Sequence, residues 1–387
     1  MKILQVLTYY RPHTSGLTIY VERLSRALAA RGHEVTVLTS RFDPSSPRIE
    51  VADGVRVVRV PVAARVSKGV LMPGFGLAAT RLVRTADVVH LHLPQFDAAG
   101  VALRARLFGR PAVLTYHCDL QLPPGVGNRA VNQVVHVMNG IAAAAAHRIV
   151  TYTRDFADHS PFLRSYRRKV ETILPPVELP SPEPLAIQRL AEATGAVDRR
   201  PVIGMATRFA SEKGVEVLLG ALPRVLREYP DTTVLFAGQH RDVMGEQAYF
   251  DRLAPTIEPL EATGRWHFLG TLSPAEMAAF YPNLNLLVVP SLNSTESFGL
   301  VQIEAMMHGV PVVAANLPGV RQPVSMTGMG AIAAIGDADD LAAKILEVLG
   351  DRDRFAGDPE AVARRFTPDA CAAAYEGLFE SLRVGGR

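Results

Sequence analysis

The chain is 387 residues long, 48% apolar and 20% charged, with a formal net charge of +3. That length holds two domains of ordinary size, and no apolar run reaches the roughly 18 residues needed to span a bilayer. Its two cysteines, Cys118 and Cys371, lie far apart and imply neither a disulfide framework nor a Cys-based zinc site.

Short apolar runs alternate with amphipathic stretches from the first residue onward. This is the pattern of helices packed on parallel sheets, so the expected class is α/β. The start, Met1-Lys2-Ile3-Leu4-Gln5-Val6-Leu7, lacks a signal-peptide cleavage pattern and reads as a first core strand. Strands are predicted at 2–8, 34–39, 55–60, 87–92, 111–116, 148–153 and 170–174, with helices between them at 20–31, 98–108 and 131–146. Residues 66–83, with Lys68, Leu71, Met72, Phe75, Leu77 and Arg81, mix apolar and basic character. They suit a contact with membrane or acceptor, and equally a surface helix broken by glycines. Five prolines between 175 and 184 remove backbone donors and restrict their neighbours, which makes a stiff linker. One domain is therefore expected at 1–180 and another at 185–365. The second series of strands is predicted at 202–206, 233–237, 266–269, 286–289 and 310–314, with a last helix near 368–382.

The small net charge hides an asymmetry. Residues 1–180 hold 23 Lys/Arg against 12 Asp/Glu, and the remainder holds 18 against 26. A basic N-terminal half favours an anionic partner, such as a phospholipid surface or a lipid-phosphate acceptor. The other reading is a general use of surface arginine.

Two glutamates eight positions apart, Glu296 and Glu304, enclose Ser297-Phe298-Gly299-Leu300-Val301-Gln302-Ile303. Upstream, Leu286-Leu287-Val288-Val289 is a buried-strand pattern. Downstream, Leu300, Ile303, Met306 and Met307 recur at helical spacing until Gly309 and Pro311. The unit is strand, polar loop, helix. Free N–H groups of Phe298, Gly299, Leu300 and Val301 are expected at the helix start, where the dipole favours an anion, and Gly299 lets a ligand approach the backbone. Two carboxylates beside a phosphate pocket are good acceptors for hydroxyl protons. The combination suits a sugar nucleotide, with diphosphate on the helix N-terminus, sugar hydroxyls on Glu296 and ribose hydroxyls on Glu304. Earlier in the chain, Arg208 and Lys213 follow the strand Val202-Ile203-Gly204-Met205-Ala206 and open a helix. Helix starts normally prefer acids, so two cations there point to a diphosphate clamp.

At this point the chain resembles the retaining glycosyltransferases of family 4. Their signature is two Glu separated by seven residues, with Phe-Gly after the first and Ala-Met after the second, as in Glu296-Ser297-Phe298-Gly299 and Glu304-Ala305-Met306. The resemblance implies the GT-B fold: two Rossmann-like parallel-sheet domains facing a cleft, with a C-terminal helix, about 366–387, returning to the first domain. It implies that Arg208 and Lys213 neutralise the leaving nucleotide. In the loop 9–18, where members often have Gly-Gly and then Glu, this chain has Ser15-Gly16 and Thr18. Gly16 would let the backbone approach the donor phosphates. The run Thr115-Tyr116-His117-Cys118-Asp119 is similar to the family's Thr-x-His segment, whose His contacts the donor sugar; Asp119 is a candidate partner of His117. The nucleobase is expected against Leu269-Gly270-Thr271-Leu272-Ser273, where main-chain contacts suit uracil or guanine alike.

The implied activity is transfer of a hexose-type sugar, with retention, from a UDP-, GDP- or ADP-sugar to a hydroxyl of a glycan, a lipid, a lipid-linked glycan or a small molecule. Expected catalytic residues are His117, Arg208, Lys213 and Glu296. Expected donor-binding residues are Gly16, Leu272, Phe298, Gly299, Leu300, Val301 and Glu304. No cofactor and no metal are expected. His90 and His92 share a strand face but lack a third ligand nearby, and Asp337-Ala338-Asp339-Asp340 reads as a helix cap. No nucleic-acid partner is expected, and the anticipated location is the cytoplasm, peripheral at the inner membrane face. Three other readings carry less motif support. A nicotinamide-dependent oxidoreductase would want Gly-x-Gly-x-x-Gly at the first strand–helix turn, which is missing. A non-catalytic sugar-nucleotide binding protein and a sugar-nucleotide epimerase are the other two.

Overall fold

The computed structural model describes residues 1–66, 69–119 and 126–384. The chain divides into two compact units, Met1–Val177 with Phe366–Arg387, and Glu178–Arg365. The division falls inside the proline-rich segment. There the Val177 N–H donates to the Phe366 carbonyl at 2.8 Å, so the departing and returning strands of chain are tied together.

The first unit contains β1 (Lys2–Val6), β2 (Glu34–Arg41), β3 (Ile49–Ala52), β4 (Val55–Pro61), β5 (Ala64–Val66), β6 (Gly69–Leu71), β7 (Val88–Leu93), β8 (Ala112–Tyr116), β9 (Arg148–Thr151) and β10 (Val170–Thr172). Eight of these form one sheet in the order β10-β9-β8-β7-β1-β2-β4-β3, while β5 and β6 pair as a separate hairpin. The large sheet is parallel except for β3, which runs antiparallel to β4 at the edge. From β1 the chain winds outward to β2 and β4, then returns to the other side of β1 at β7. Right-handed crossovers therefore put α1 (Gly16–Ala30) on one face and α2 (Phe75–Thr85), α3 (Ala98–Leu107) and α4 (Val126–Ala145) on the other. The terminal helix Pro368–Val384 packs beside α1, and α3 packs against both α2 and α4. Strands covered on both faces read as continuous apolar runs; β7 and β8 are buried along their whole length.

The second unit contains β11 (Val202–Ala206), β12 (Thr233–Ala237), β13 (Trp266–Gly270), β14 (Leu286–Val289), β15 (Val312–Ala315) and β16 (Gly330–Ala333). They form a parallel sheet in the order β13-β12-β11-β14-β15-β16. The winding direction reverses between β11 and β14. Its core gathers Phe209, Leu218, Phe236, Trp266 and Ile345 around the sheet.

Each predicted strand corresponds to an observed one, with shifted ends. The strand predicted to reach residue 153 stops at Thr151, because the Thr153 hydroxyl caps the next helix by accepting from the Phe156 N–H. Four strands went unpredicted for physical reasons. Edge strand β3 is short and largely exposed, β5 and β6 make a very short hairpin, and Gly-Ala-Ile-Ala in β16 carries little apolar signal. Within 66–83, Met72 and Phe75 are core residues, whereas Leu71, Leu77 and Arg81 face solvent. Lys68 lies outside the described residues.

Candidate active site

In an open parallel sheet the crevice for a ligand lies where strand order reverses, beyond the carboxyl ends of the strands. In the second unit that point is between β11 and β14, and a small hollow opens there, lined in part by Thr207, Lys213, Ser291, Glu296 and Val301. Two loops build it. After β11 the backbone passes through Ser211-Glu212-Lys213 and turns at Gly214, whose φ is +70°. A Cβ at Gly214 would fall 2.1 Å from the Pro290 carbonyl oxygen, so only glycine brings this loop against the end of β14. The second loop follows β14 and ends at Gly299, φ +78°, which opens the helix Leu300–Met306.

The two loops meet in an ion pair. Lys213 Nζ lies 2.8 Å from Glu296 Oε2, with the two side chains 13% and 25% exposed. Such partial burial leaves the pair less screened than a surface one. The other carboxylate oxygen accepts from the Gly299 N–H at 3.0 Å. Burial alone would raise the pKa of Glu296, but the Lys213 ammonium and the N–H groups of Gly299 and Phe298 outweigh it and hold the carboxyl below its usual value.

One expectation needs correction here. The N–H groups of Phe298 and Gly299 are not free for an external anion, because Glu296 already accepts from them. The Phe298 side chain is core, 1% exposed, so only its backbone reaches the site. Arg208 is at the rim: its side chain is 51% exposed and its guanidinium pairs with Glu212 at 2.9 Å, four residues on. Glu304, in the second turn of the helix, is 7% exposed and accepts from the Tyr281 hydroxyl at 2.8 Å. Leu272 is half-buried after β13, where the Gly238 N–H donates to the Gly270 carbonyl and joins the ends of β12 and β13.

Motif reading missed the residues that support this site. Glu246 is 6% exposed and accepts from the Ser211 N–H at 3.0 Å. The Tyr249 hydroxyl accepts from the Val215 N–H at 3.1 Å and donates to Glu216. The two side chains are three positions apart at the start of the helix Gln247–Ala262, and they bracket Lys213 from both sides. Tyr281 does the same for Glu304. All three act across more than twenty residues of sequence, so no local pattern betrays them.

In the first unit Gly16 begins α1. Ser15 caps that helix by accepting from the Thr18 N–H, and the Thr18 hydroxyl donates to the Tyr9 carbonyl. A Cβ added at Gly16 would meet nothing within 4 Å, so the fold itself does not demand glycine there. His117, just past β8, is 6% exposed and belongs to a buried network. His92 Nε2–H donates to Gln5 Oε1 at 2.7 Å, which leaves His92 Nδ1 to accept from His117 Nε2–H at 3.0 Å, and His117 Nδ1 to accept from the Tyr152 hydroxyl. Asp119 is not the partner of His117; its carboxylate accepts from Tyr116 and Ser160. Nearby, His90 Nε2 and the Tyr375 hydroxyl both bond to the Thr115 hydroxyl, and Tyr375 also bonds to Tyr20. Burial lowers the pKa of His90 and of His117 to about 3, with neighbouring His117 adding to the effect on His90, and it holds His92 well below its ordinary value. His90 and His92 thus serve as neutral hydrogen-bonding groups. Asp337 caps the helix Ala338–Gly350 by accepting from the Asp340 N–H.

These features define an α/β protein with a crevice at the switch point of its second sheet, and comparison with known proteins identifies the class. Residues 187–364 match the family Glycosyl transferases group 1, and residues 15–176 match the Glycosyl transferase 4-like domain. The sequence is 30% identical to a glycogen synthase of Mycobacterium tuberculosis, over 95% of this chain and 91% of that protein. It is 27% identical to a phosphatidyl-myo-inositol mannosyltransferase of Mycolicibacterium smegmatis, over 92% of this chain and 87% of that one. In fold it is similar to Anabaena Alr3699/HepE in complex with UDP and glucose, with a TM-score of 0.78 at 20% identity, covering 98% of this chain and 100% of that one. The fold is GT-B. The chain belongs to the family 4-type glycosyltransferases of group 1, and is an enzyme that transfers sugar.

Proposed function

We propose that this enzyme transfers a hexose, with retention of configuration, from a nucleoside diphosphate sugar to a hydroxyl of a lipid or lipid-linked acceptor. The observation that carries the donor side is the Lys213–Glu296–Gly299 arrangement at the switch point. The Glu296 carboxylate covers an ammonium and two backbone N–H groups. Those are the groups an anionic diphosphate would use. Donor binding draws Lys213 onto the phosphates and releases both oxygens of Glu296 to accept from sugar hydroxyls. Arg208, half exposed at the rim, adds a second cation, while Gly16 leaves backbone open to a phosphate. Leu300 and Val301 bring the remaining N–H groups of the helix start, and Leu272 covers the base. Glu304, oriented by Tyr281, accepts from the ribose hydroxyls.

Departure of the diphosphate develops negative charge, which Lys213 and Arg208 stabilise in place of a metal. The acceptor hydroxyl attacks from the face the diphosphate leaves, and the departing phosphate takes the proton. No glutamate serves as a covalent nucleophile. The first unit takes the acceptor, in keeping with its excess of Lys and Arg and with the mannosyltransferase relative, which acts on phosphatidyl-myo-inositol. His117 enters as a neutral group whose tautomer is set by Tyr152 and His92.

Calorimetry with UDP-, GDP- and ADP-sugars tests the donor reading, and proton NMR of the product tests retention. Binding of one sugar nucleotide that collapses in Lys213→Ala is expected. Failure of all three to bind, or equal binding by the variant, would overturn the proposed site. A donor that binds without ever being turned over would instead identify a sugar-nucleotide sensor.

A further inference from the structure

The helices α2, α3 and α4 lie side by side on one face of the first sheet. Their 41 residues contain Arg81, Arg84, Arg104, Arg106 and Arg129 and not one Asp or Glu. Their solvent side is also unusually apolar. Fourteen large apolar side chains are exposed among the described residues, and six of them are here: Leu77, Leu103, Leu107, Val134, Val137 and Ile141. Spacing confirms that they form stripes. Leu103 and Leu107 are four apart on α3, and Val134, Val137 and Ile141 fall at helical intervals of three and four on α4. The opposite sides of the same helices are committed to the core through Val101, Ala102, Ala105, Ala142 and Ala143. Scattered exposed apolar residues are ordinary, whereas neighbouring ones mark a contact surface.

The charges fall into two groups. Arg104 is a structural bridge: its Nε donates to the Thr80 hydroxyl at 2.8 Å and one NH2 group donates to the Gly100 carbonyl at 2.7 Å, which joins α2 to α3. Arg81, Arg84, Arg106 and Arg129 are exposed. The basic run at 164–169, the other attractive segment in the sequence, is already engaged. Lys169 Nζ donates to the carbonyls of Ala143, Ala144 and Ala146 at the end of α4, and Arg167 pairs with Asp158.

We propose that the outward face of α2, α3 and α4 docks onto an anionic phospholipid bilayer. Apolar side chains ringed by arginines, with no carboxylate on any of the three helices, match an interface whose headgroups are negative and whose interior is apolar. The inference deepens the lipid-acceptor reading, because a bilayer is where such an acceptor resides. It is nevertheless tested without any transfer reaction, so it fails or stands separately.

The experiment is sedimentation of the full chain with vesicles of phosphatidylcholine alone or mixed with phosphatidylglycerol. Partition is expected only with the anionic mixture, and it should weaken as salt rises, since the attraction fades beyond a Debye length of about 8 Å at physiological ionic strength. Each arginine at such a surface is worth about fivefold in partition. Arg81→Ala with Arg106→Ala should therefore lower it about 25-fold. Arg227→Ala with Arg352→Ala, exposed positions of the second unit, should leave it unchanged. A second readout is direct insertion. The chain has one tryptophan, Trp266, buried in the second unit at 1% exposure, so the emission of Leu107→Trp should shift to the blue only with anionic vesicles. No partition at low salt, or partition untouched by the Arg81/Arg106 change, would overturn the proposal. So would self-association of the chain that Leu107→Asp and Val137→Asp abolish without any binding to vesicles, which would assign the face to a second copy.

Discussion

The two units share an architecture and differ in what occupies the reversal point of the sheet. In the second unit it holds ionised groups, the Lys213–Glu296 pair with Arg208–Glu212 beside it, all partly open to solvent. In the first it holds neutral groups closed off from solvent, Gln5, His90, His92 and Thr115, each fully buried and bonded to one another or to tyrosines. Ionised groups line the crevice of the second sheet, and uncharged donors and acceptors fill the same position in the first. The same fold is thus given two electrostatic characters by a few side chains at strand ends.

Acid gives the strongest way to separate the two. In the unfolded chain each imidazole titrates near 6.5, whereas in the folded first unit His90 and His117 stay neutral to about 3 and His92 is also lowered. Below about pH 6.5 the unfolded state takes up protons that the folded state refuses. Stability is therefore complete above that pH and declines beneath it, approaching about 1.4 kcal/mol per pH unit for each histidine. His90 and His117 together should cost the first unit about 3 kcal/mol between pH 6.5 and 5, with His92 acting in the same direction. Urea unfolding followed by circular dichroism should show an early transition at pH 5. Trp266 fluorescence, which reports the second unit alone, should barely move. Coincident shifts of both probes would break the comparison.

Chemistry is the next largest effect. Lys213→Ala should slow transfer by about 100- to 1000-fold, the usual loss for one group that stabilises developing charge. Arg208→Ala should cost less, because its guanidinium is half exposed and already shared with Glu212. Steady-state rates on the same sugar nucleotide measure both. Unchanged turnover in folded Lys213→Ala would move the charged centre elsewhere.

The carboxylates divide the donor between them. Glu304→Gln should weaken free nucleotide and sugar nucleotide alike, by roughly 1.5–3 kcal/mol for a lost charged acceptor. Glu296→Gln should weaken only the sugar nucleotide, and it should leave free nucleotide bound as well or better, since Lys213 is no longer shared. Calorimetric titration giving the reverse ordering would exchange the two assignments.

Much of this was legible in the chain because local signals carried it. Apolar runs at strand positions, a proline-rich break and the Glu296–Glu304 spacing each lie within a short window. The roles of Gly214 and Gly299 follow from positive φ at turns, which glycine marks in any sequence. Pairings across long separations were not legible. Nothing near Lys213 announces that Glu296 neutralises it from 83 residues away, or that Glu246 and Tyr249 fasten its loop. Likewise, His117 offered its neighbour Asp119 as a partner, whereas the fold supplied His92 and Tyr152 from adjacent strands. Parallel sheets bring remote strand ends together, and the partner then comes from topology.

The smallest effect tests one of those hidden supports. Tyr281 is fully buried and its hydroxyl donates to Glu304 at 2.8 Å. Tyr281→Phe keeps the ring and its packing, including the stack on His308 with centroids 5.5 Å apart, and removes that bond. A single hydrogen bond to a charged group is worth about 1.5–3 kcal/mol when it is lost outright, but the charge of Glu304 remains available to ribose, so the loss in nucleotide affinity should stay near 1 kcal/mol. Melting temperature should fall slightly as well. The informative quantity is the double variant. If Tyr281 acts by orienting Glu304, adding Tyr281→Phe to Glu304→Gln should cost less than it does alone. Full additivity would mean that the tyrosine supports the helix and not the carboxylate.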